Sequence, residues 1–265
     1  MEKGLLQLKG RTALITGAGQ GVGRETALQF ARHGISALLV NDFYANRAQA
    51  TADEIARIDD SIQVETMVCD IGDFYAVGAG IETFVRKHGR LDILVNNAGN
   101  AGPTGDLSRL TPFTESEPQE WAQWLGTNLY GVLNCTRHAL PLMIQNKYGR
   151  IITVISDAGR VGEPHLAVYS AAKAGAAGFM RAIAKLGGRH GVTANSVALG
   201  GVNTPAVRDM VHDETAMKKA LSHYVIRRFG EPIDAAAMIL FLSSEVAGWI
   251  TGQTYPVNGG YSFAL

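Results

Sequence analysis

The sequence predicts an α/β protein: one doubly wound parallel sheet of about seven strands, with helices on both faces. Three observations carry that reading. Seven short apolar runs recur along the chain: TALIT (12–16), ALLVND (37–42), QVETMVC (63–69), LDILVN (91–96), RIITVIS (150–156), VTANSVA (192–198) and QTYPVN (253–258). They are rich in Val, Ile and Leu without polar alternation, as expected of strands buried on both faces. Helical patterns lie between them, at 22–33, 46–58, 73–88, 117–146, 168–189, 205–224 and 232–244. Such alternation is the signature of βαβ units, which set strands parallel. No repeat, low-complexity tract or Pro/Ser-rich linker breaks the order, so 1–265 reads as one domain.

Composition narrows the function. Lys plus Arg equals Asp plus Glu at 24 each, which leaves no basic excess for nucleic acid or an anionic membrane. The opening MEKGLLQLKG lacks the apolar centre of a signal segment. No apolar run approaches the ~20 residues of a membrane span. The expectation is a cytoplasmic protein acting on a small molecule. Cys69 and Cys135 are too few for a disulfide framework or zinc site and read as buried small residues. The seven histidines show no ligand spacing, so no metal is expected.

The first run continues as TGAGQGVGRE (16–25), which sets Gly17, Gly19, Gly21 and Gly23 between strand one and a helix starting near Val22. Glycines there permit a sharp turn and close approach of backbone N–H groups to a pyrophosphate, and the helix start adds its positive end. Gln20 is neutral and adds no phosphate clamp. The placement points to a dinucleotide. Asp42 ends the second run, where a carboxylate accepts hydrogen bonds from ribose hydroxyls and repels a 2′-phosphate, favouring NAD over NADP. Asn41 is a competing ribose ligand if the register slips by one. Arg24 and Arg47 are basic groups that would soften the preference.

A second pattern lies in SDAGRVGEPHLAVYSAAKAG (156–175). Tyr169 and Lys173 are four apart, hence on one helical face, and Ser156 precedes the tyrosine by thirteen residues. Taken with the first loop, the chain resembles the short-chain dehydrogenase/reductase family. Thr16-Gly17 followed by Gly21-Val22-Gly23 is similar to that family's nucleotide loop. Cys69-Asp70-Ile71 resembles its adenine-contacting segment, and Asn96-Asn97-Ala98-Gly99 its NNAG signature after strand four. Asn128 in TNLYG matches the Asn of its long fourth helix, and Ser156, Tyr169 and Lys173 match its catalytic serine and YxxxK pair. Residues 229–260 resemble its C-terminal helix and last strand, so the likeness covers 8–262. One departure stands after strand six, where Leu199 replaces the family's usual proline before Gly200.

The resemblance implies a Rossmann-type fold and a catalytic set of Asn128, Ser156, Tyr169 and Lys173. It implies cofactor contacts from Gly17, Gly19, Gln20, Gly21, Val22, Gly23, Asp42, Asp70, Ile71, Asn97, Ala98, Gly99, Tyr169, Lys173, Gly200, Val202 and Thr204. It also implies a homotetramer paired through the long helices near 117–146 and 168–189, and a water held by Asn128 that links Lys173 to solvent. Hydride transfer between alcohol and ketone needs a group to handle the hydroxyl proton. A tyrosine titrates near ~10, so bringing it to neutral pH takes ~4 kcal/mol. One cation about 4 Å away at an effective dielectric of ~20 supplies ~4 kcal/mol. Lys173, aided by the positive nicotinamide of the oxidised cofactor, is therefore expected to lower Tyr169, while Ser156 holds the substrate oxygen. A sugar-nucleotide epimerase shares YxxxK but resembles longer chains, and a non-catalytic NAD-binding regulator has no need of a tuned phenol. No nucleophile-elbow spacing supports a hydrolase.

Substrate groups belong above the strand carboxyl ends, at 100–116, 157–167 and 201–226, the last a lid with Met210, Met217, Leu221 and Tyr224 as apolar contacts. Arg160, Glu163 and His165 are candidate substrate residues. PFTESEPQEW (112–121) and SDAGRVGE (156–163) resemble segments of dehydrogenases acting on alicyclic hydroxyacyl-CoA thioesters, such as 2-hydroxycyclohexanecarboxyl-CoA. Arg109, Arg160, Lys218 and Lys219 would then meet CoA phosphates. A steroid or other bulky cyclic alcohol fits the apolar lid equally well.

Overall fold

The structure is a computed structural model that describes residues 4–99, 110–204 and 214–263, the side chains of 214–216 excepted. Its strands are β1 (Thr12–Ile15), β2 (Ala37–Asp42), β3 (Gln63–Val68), β4 (Ile93–Asn96), β5 (Gly149–Ser156), β6 (Val192–Leu199) and β7 (Thr254–Val257). They form one sheet in the order β3-β2-β1-β4-β5-β6-β7, with every pair parallel. The helices are α1 (Gly21–Arg32), α2 (Ala45–Ile58), α3 (Phe74–His88), α4 (Pro118–Leu125), α5 (Gly131–Gln145), α6 (Ala158–Val161), α7 (Ala167–Gly187), α8 (Glu214–Leu221) and α9 (Pro232–Ser243). No described helix is long and apolar enough to cross a membrane.

The central strands are largely apolar on both faces because they feed two cores. On β1, Ala13 and Ile15 join a cluster with Phe30 of α1, Ile55 of α2 and Ile239 of α9. Leu14 points the other way, into a cluster with Phe84 of α3, Cys135 of α5 and Met180 of α7. The period of two that separates these neighbours is the pleat itself. β3 differs: as one of the two edge strands it keeps Gln63 and Thr66 exposed, and its sequence correspondingly carries polar residues.

The chain winds outward in one direction from β1 through β2 to β3, then crosses to β4 and winds the other way. The reversal leaves a crevice at the carboxyl ends of β1 and β4, where ligands of such sheets bind.

The single helix expected over 117–146 is not single. α4 and α5 are joined by a π-helical turn at Gly126–Tyr130, GTNLY. Such turns carry an extra residue in the hydrogen-bond ladder and concentrate at functional sites. Of the helix expected over 205–224, α8 is the described part, and 205–213 lie outside the described residues. β6 runs on through Leu199, which pairs with Ser156 and Val257, so the strand continues where the family's proline would stand.

Candidate active site

A cleft of about 1080 Å³ runs along the strand carboxyl ends. Ligand pockets commonly span ~300–1,000 Å³, so it has room for a two-part ligand. One end is lined by Asp42, Phe43, Tyr44 and Arg47, the middle by Gly17, Gly21, Asn97 and Ala98, and the far end by Ser156, Tyr169, Lys173, Tyr224 and Tyr261.

The glycine loop has the shape of a cradle. Gly17 and Gly21 have φ of 60° and 56°, a backbone region that side chains disfavour. A Cβ on Gly17 would lie 2.8 Å from Ala98 Cα, and one on Gly19 2.5 Å from Asp42 Oδ2. At Gly23 a Cβ would run into the Gly17 carbonyl oxygen and the Asn97 amide. Asn97 holds the loop in place: its Nδ2 donates to the carbonyls of Thr16 (2.9 Å) and Gly17 (3.1 Å). Thr16 Oγ1 accepts the N–H groups of Asn97 and Ala98, both at 3.0 Å. The amide of Asn97 thus fixes the loop from β4.

Both neighbours at the end of β2 are buried and line the cleft, with different partners. Asn41 is buried and ties the loop inward, its Nδ2 donating to Met67 O (2.9 Å) and its Oδ1 accepting from Gly17 N (3.4 Å). Asp42 stands at the cleft, its carboxylate accepting the N–H groups of Gly19 and Tyr44, each at 3.0 Å. Arg24 is engaged by Glu54 through two hydrogen bonds. Arg47 lines the cleft with its guanidinium 4.4 Å from the Tyr44 ring centroid. Asp70 is exposed and accepts from Gly72 N at 2.8 Å, while Ile71 is buried and lines the cleft. Gly200, Val202 and Thr204 line it from the segment that follows β6.

The four proton-handling residues come together at the far end. The π turn carries buried Asn128, whose Nδ2 donates to Trp124 O at 3.0 Å. A Cβ on Gly99 would sit 3.0 Å from Asn128 Oδ1 and 3.3 Å from Lys173 Nζ, so amide and ammonium converge on that glycine. Lys173 is 3% exposed, and its Nζ donates to Val154 O at 3.1 Å. Nζ lies 5.7 Å from the Tyr169 ring centroid. Tyr169 and Ser156 are hydrogen-bonded through their hydroxyls. Ser156 Oγ also accepts Ala158 N–H at 3.2 Å, where α6 begins. The edge of Trp124 meets Tyr169 at 5.6 Å.

The electrostatics of the protein groups, taken without the cofactor's charge, run opposite to the expected lowering of Tyr169. Burial pushes the Tyr169 phenol up, and the hydrogen bond from Ser156 offsets this only in part. Burial pushes Lys173 down, to about 8. With protein groups alone, desolvation outweighs the attraction expected of Lys173, and the phenol keeps its proton at neutral pH.

Of the candidate substrate residues, Glu163 lines the cleft beside Leu166. His165 is exposed and lies outside the lining. Arg160 turns away: it pairs with Asp157 at 2.7 Å and donates to Ser262 Oγ and Phe263 O. Lys218 and Lys219 are exposed on α8, and Arg109 and Met210 lie outside the described residues. Sequence reasoning missed Trp124, Asp157 and Tyr261. Most of their partners come from elsewhere in the chain, which one sequence does not mark.

A family model described as enoyl-(acyl carrier protein) reductase, from the short-chain alcohol dehydrogenase group, matches residues 17–262. The chain belongs to the short-chain dehydrogenase/reductase family. It is similar to the (2S)-[(R)-hydroxy(phenyl)methyl]succinyl-CoA dehydrogenase subunit BbsD of Thauera aromatica, at 37% identity over 96% of this chain and 98% of that one. It is as similar, at 37% identity over 94% and 97%, to 3-oxoacyl-[acyl-carrier-protein] reductase FabG of Staphylococcus aureus. Among solved structures, 7α-hydroxysteroid dehydrogenase complexed with NADH and 7-oxo glycochenodeoxycholic acid superposes with a TM-score of 0.88 at 34% identity, covering 97% of this chain and 96% of that one. Levodione reductase does so with 0.89 at 28%, covering 96% and 98%. As a short-chain dehydrogenase/reductase the protein is an oxidoreductase acting on CH–OH groups with a nicotinamide cofactor. The glycine cradle, which side chains would fill, fits such a cofactor's pyrophosphate.

Proposed function

We propose that this short-chain dehydrogenase/reductase is an NAD-dependent, cytoplasmic enzyme that interconverts a secondary cyclic alcohol and its ketone, with an alicyclic hydroxyacyl-CoA as substrate. The observation that carries the reading is the convergence of Asn128, Ser156, Tyr169 and Lys173 at the end of the cleft that lies beyond the glycine cradle. The nicotinamide, when bound, accepts or supplies the hydride. The protein's part is to orient and to move a proton. Backbone groups from Gly17 to Gly23 hold the pyrophosphate, and Asp70 and Ile71 flank the adenine. Ala98, Gly99, Gly200, Val202 and Thr204 frame the nicotinamide end, where Lys173 binds the ribose. Ser156 donates to the substrate oxygen and stabilises charge developing there. Tyr169 gives its proton to that oxygen in reduction and takes it in oxidation.

Asp42 supports NAD over NADP. An acceptor-only carboxylate at the cleft suits ribose hydroxyls and repels a phosphate. Titrating both cofactors against the protein fluorescence should show tighter binding of NAD, and equal or tighter binding of NADP would overturn the preference. For the substrate, the names of two relatives point to ring-bearing alcohols, one CoA-linked and one a steroid. A screen of free and CoA-linked cyclic alcohols, read as absorbance of reduced cofactor, should give the highest kcat/KM with a CoA thioester. The second reading, a bulky hydrophobic alcohol such as a steroid, is favoured by the aromatic lining of Trp124, Tyr224 and Tyr261. It wins if the free alcohols turn over faster. Tight cofactor binding with no turnover of any alcohol would leave only a regulator.

A homotetramer belongs to the same reading. Tyr130 on the π turn and Leu186 on α7 are exposed apolar residues on the elements expected to pair. Light scattering should give four times the chain mass of 28.3 kDa, and a monomer would overturn the assembly.

A further inference from the structure

The residue after the catalytic serine has a buried carboxylate that neither the hydride nor the proton step uses. Asp157 is 2% exposed. Its Oδ1 accepts from Arg160 Nη1 (2.7 Å) and Ser262 Oγ (2.9 Å), and its Oδ2 accepts from Asn258 Nδ2 (2.6 Å). Burying a carboxylate is costly unless it is paired and hydrogen-bonded, and here a cation and two neutral donors satisfy it. Two of those donors, Asn258 and Ser262, belong to the C-terminal segment, about a hundred residues away in sequence. Arg160 reinforces the join by donating to Ser262 Oγ (2.7 Å) and Phe263 O (2.9 Å). Terminal segments fray unless tied down. This one is tied down at the active site.

The tie has a direction. Gly259 and Gly260, with φ of 60° and 79°, turn the chain back after Asn258. Ile226 N–H donates to Gly259 O (2.8 Å), which joins the turn to the strand-six loop. The reversal sets the Tyr261 ring 5.2 Å from that of Tyr224, whose hydroxyl accepts Gly201 N–H at 2.8 Å. Tyr224 and Tyr261 line the cleft on the β6–β7 side, across Ser156 from the Asp42 end. With the cofactor lying from Asp42 toward Tyr169, these two rings face what remains: the body of the substrate.

We propose that Asp157 is a positioning residue for substrate selection. By clamping Asn258 and Ser262 it fixes Tyr261 against Tyr224, and the paired rings form the wall that favours bulky cyclic alcohols over small ones. The inference rests on the alcohol dehydrogenase reading above. It places part of the specificity in the C-terminal segment, outside the lid region 201–226.

The test compares kcat/KM for the best bulky cyclic alcohol of the screen with that for isopropanol, in the wild type, Asp157→Asn, Tyr261→Ala and the double variant. Each single change should lower kcat/KM for the bulky alcohol at least ~10-fold, chiefly through KM, the size of a lost apolar pocket contact. Isopropanol should change by less than about threefold, and NAD affinity by less than about twofold, within the scatter expected of an uninvolved site. Because Asp157 acts through Tyr261, the double variant should be no worse than the worse single one. Ser262→Ala, which removes one partner and keeps the charge, should give an intermediate loss and carries the test with Tyr261→Ala if Asp157→Asn does not fold. Equal losses on both alcohols, or losses that multiply in the double variant, would overturn the inference alone. A wild-type enzyme that turns over neither alcohol would overturn the proposed function and the inference with it.

Discussion

Tyr169→Phe is expected to abolish turnover, with kcat falling by ~10²–10⁴-fold, the range for loss of a general acid/base. NAD affinity should stay within about twofold of the wild type, because the change removes one hydroxyl and nothing from the cradle. The ring remains to meet Trp124, and the packing around it is undisturbed. What disappears is the proton that burial holds on the phenol and its hydrogen bond to Ser156. Initial rates on the best substrate, paired with a fluorescence titration of cofactor, separate the two effects. Full activity would remove Tyr169 from the chemistry and leave the cleft as a binding site. Loss of cofactor affinity together with rate would mean that the hydroxyl also helps to hold the cofactor, and that its role is not confined to the proton.

Lys173→Met should do two things at once: abolish turnover and stabilise the fold at neutral pH. Burial lowers the folded pKa of Lys173 to about 8 from the ordinary lysine value of 10.5. Between those two values the unfolded chain binds more protons than the folded one, so stability rises with pH across that window. Below about 8 the full cost of burying the charge is present, of order ~3 kcal/mol at most. Methionine carries no charge and removes this cost. It also loses the donor to Val154 O, which offsets about 1 kcal/mol. The net expectation is a variant about 1–2 kcal/mol more stable at pH 7, worth several degrees of Tm in a chain of this size. Urea titrations at pH 7 and pH 9.5 test it. Wild-type stability should rise between them by more than that of the variant, and parallel pH dependences would show that Lys173 is not held as a costly buried cation. With the expected difference between the two proteins, the lysine exemplifies a functional charge kept at the expense of stability.

The sheet was legible because three of its strands are buried throughout and two more in all but their last residue, and so write largely apolar runs. The glycine loop was legible because the backbone there admits no Cβ, and the requirement is local in sequence. The Asn128 turn was not. A π turn adds one residue without changing which residue types a helix accepts, so 117–146 read as continuous. The sign of the Tyr169 shift was also out of reach, because it depends on how much protein surrounds the phenol, which spacing does not record. Asp157 illustrates a third kind of gap. Its neighbours in sequence suggest only a turn, and its partners Asn258 and Ser262 meet it because β5, β6 and β7 lie side by side. Arg160 was read as reaching for substrate for the same reason: its carboxylate partner is three residues away, but the tail that completes the pairing is not.

The π turn has a consequence for anyone who would graft this chemistry onto another scaffold. One residue of α-helix subtends about 100°. The extra residue at Gly126–Tyr130 therefore puts α4 and α5 out of phase by more than a quarter turn. On one side of the slip Trp124 faces Tyr169, and on the other Val132, Cys135, Ala139 and Met143 face the sheet. An idealised helix of the same sequence would satisfy only one of these neighbours. A transplanted site needs the fault in the ladder copied along with the side chains, because an unbroken helix, though simpler to build, would aim the asparagine elsewhere.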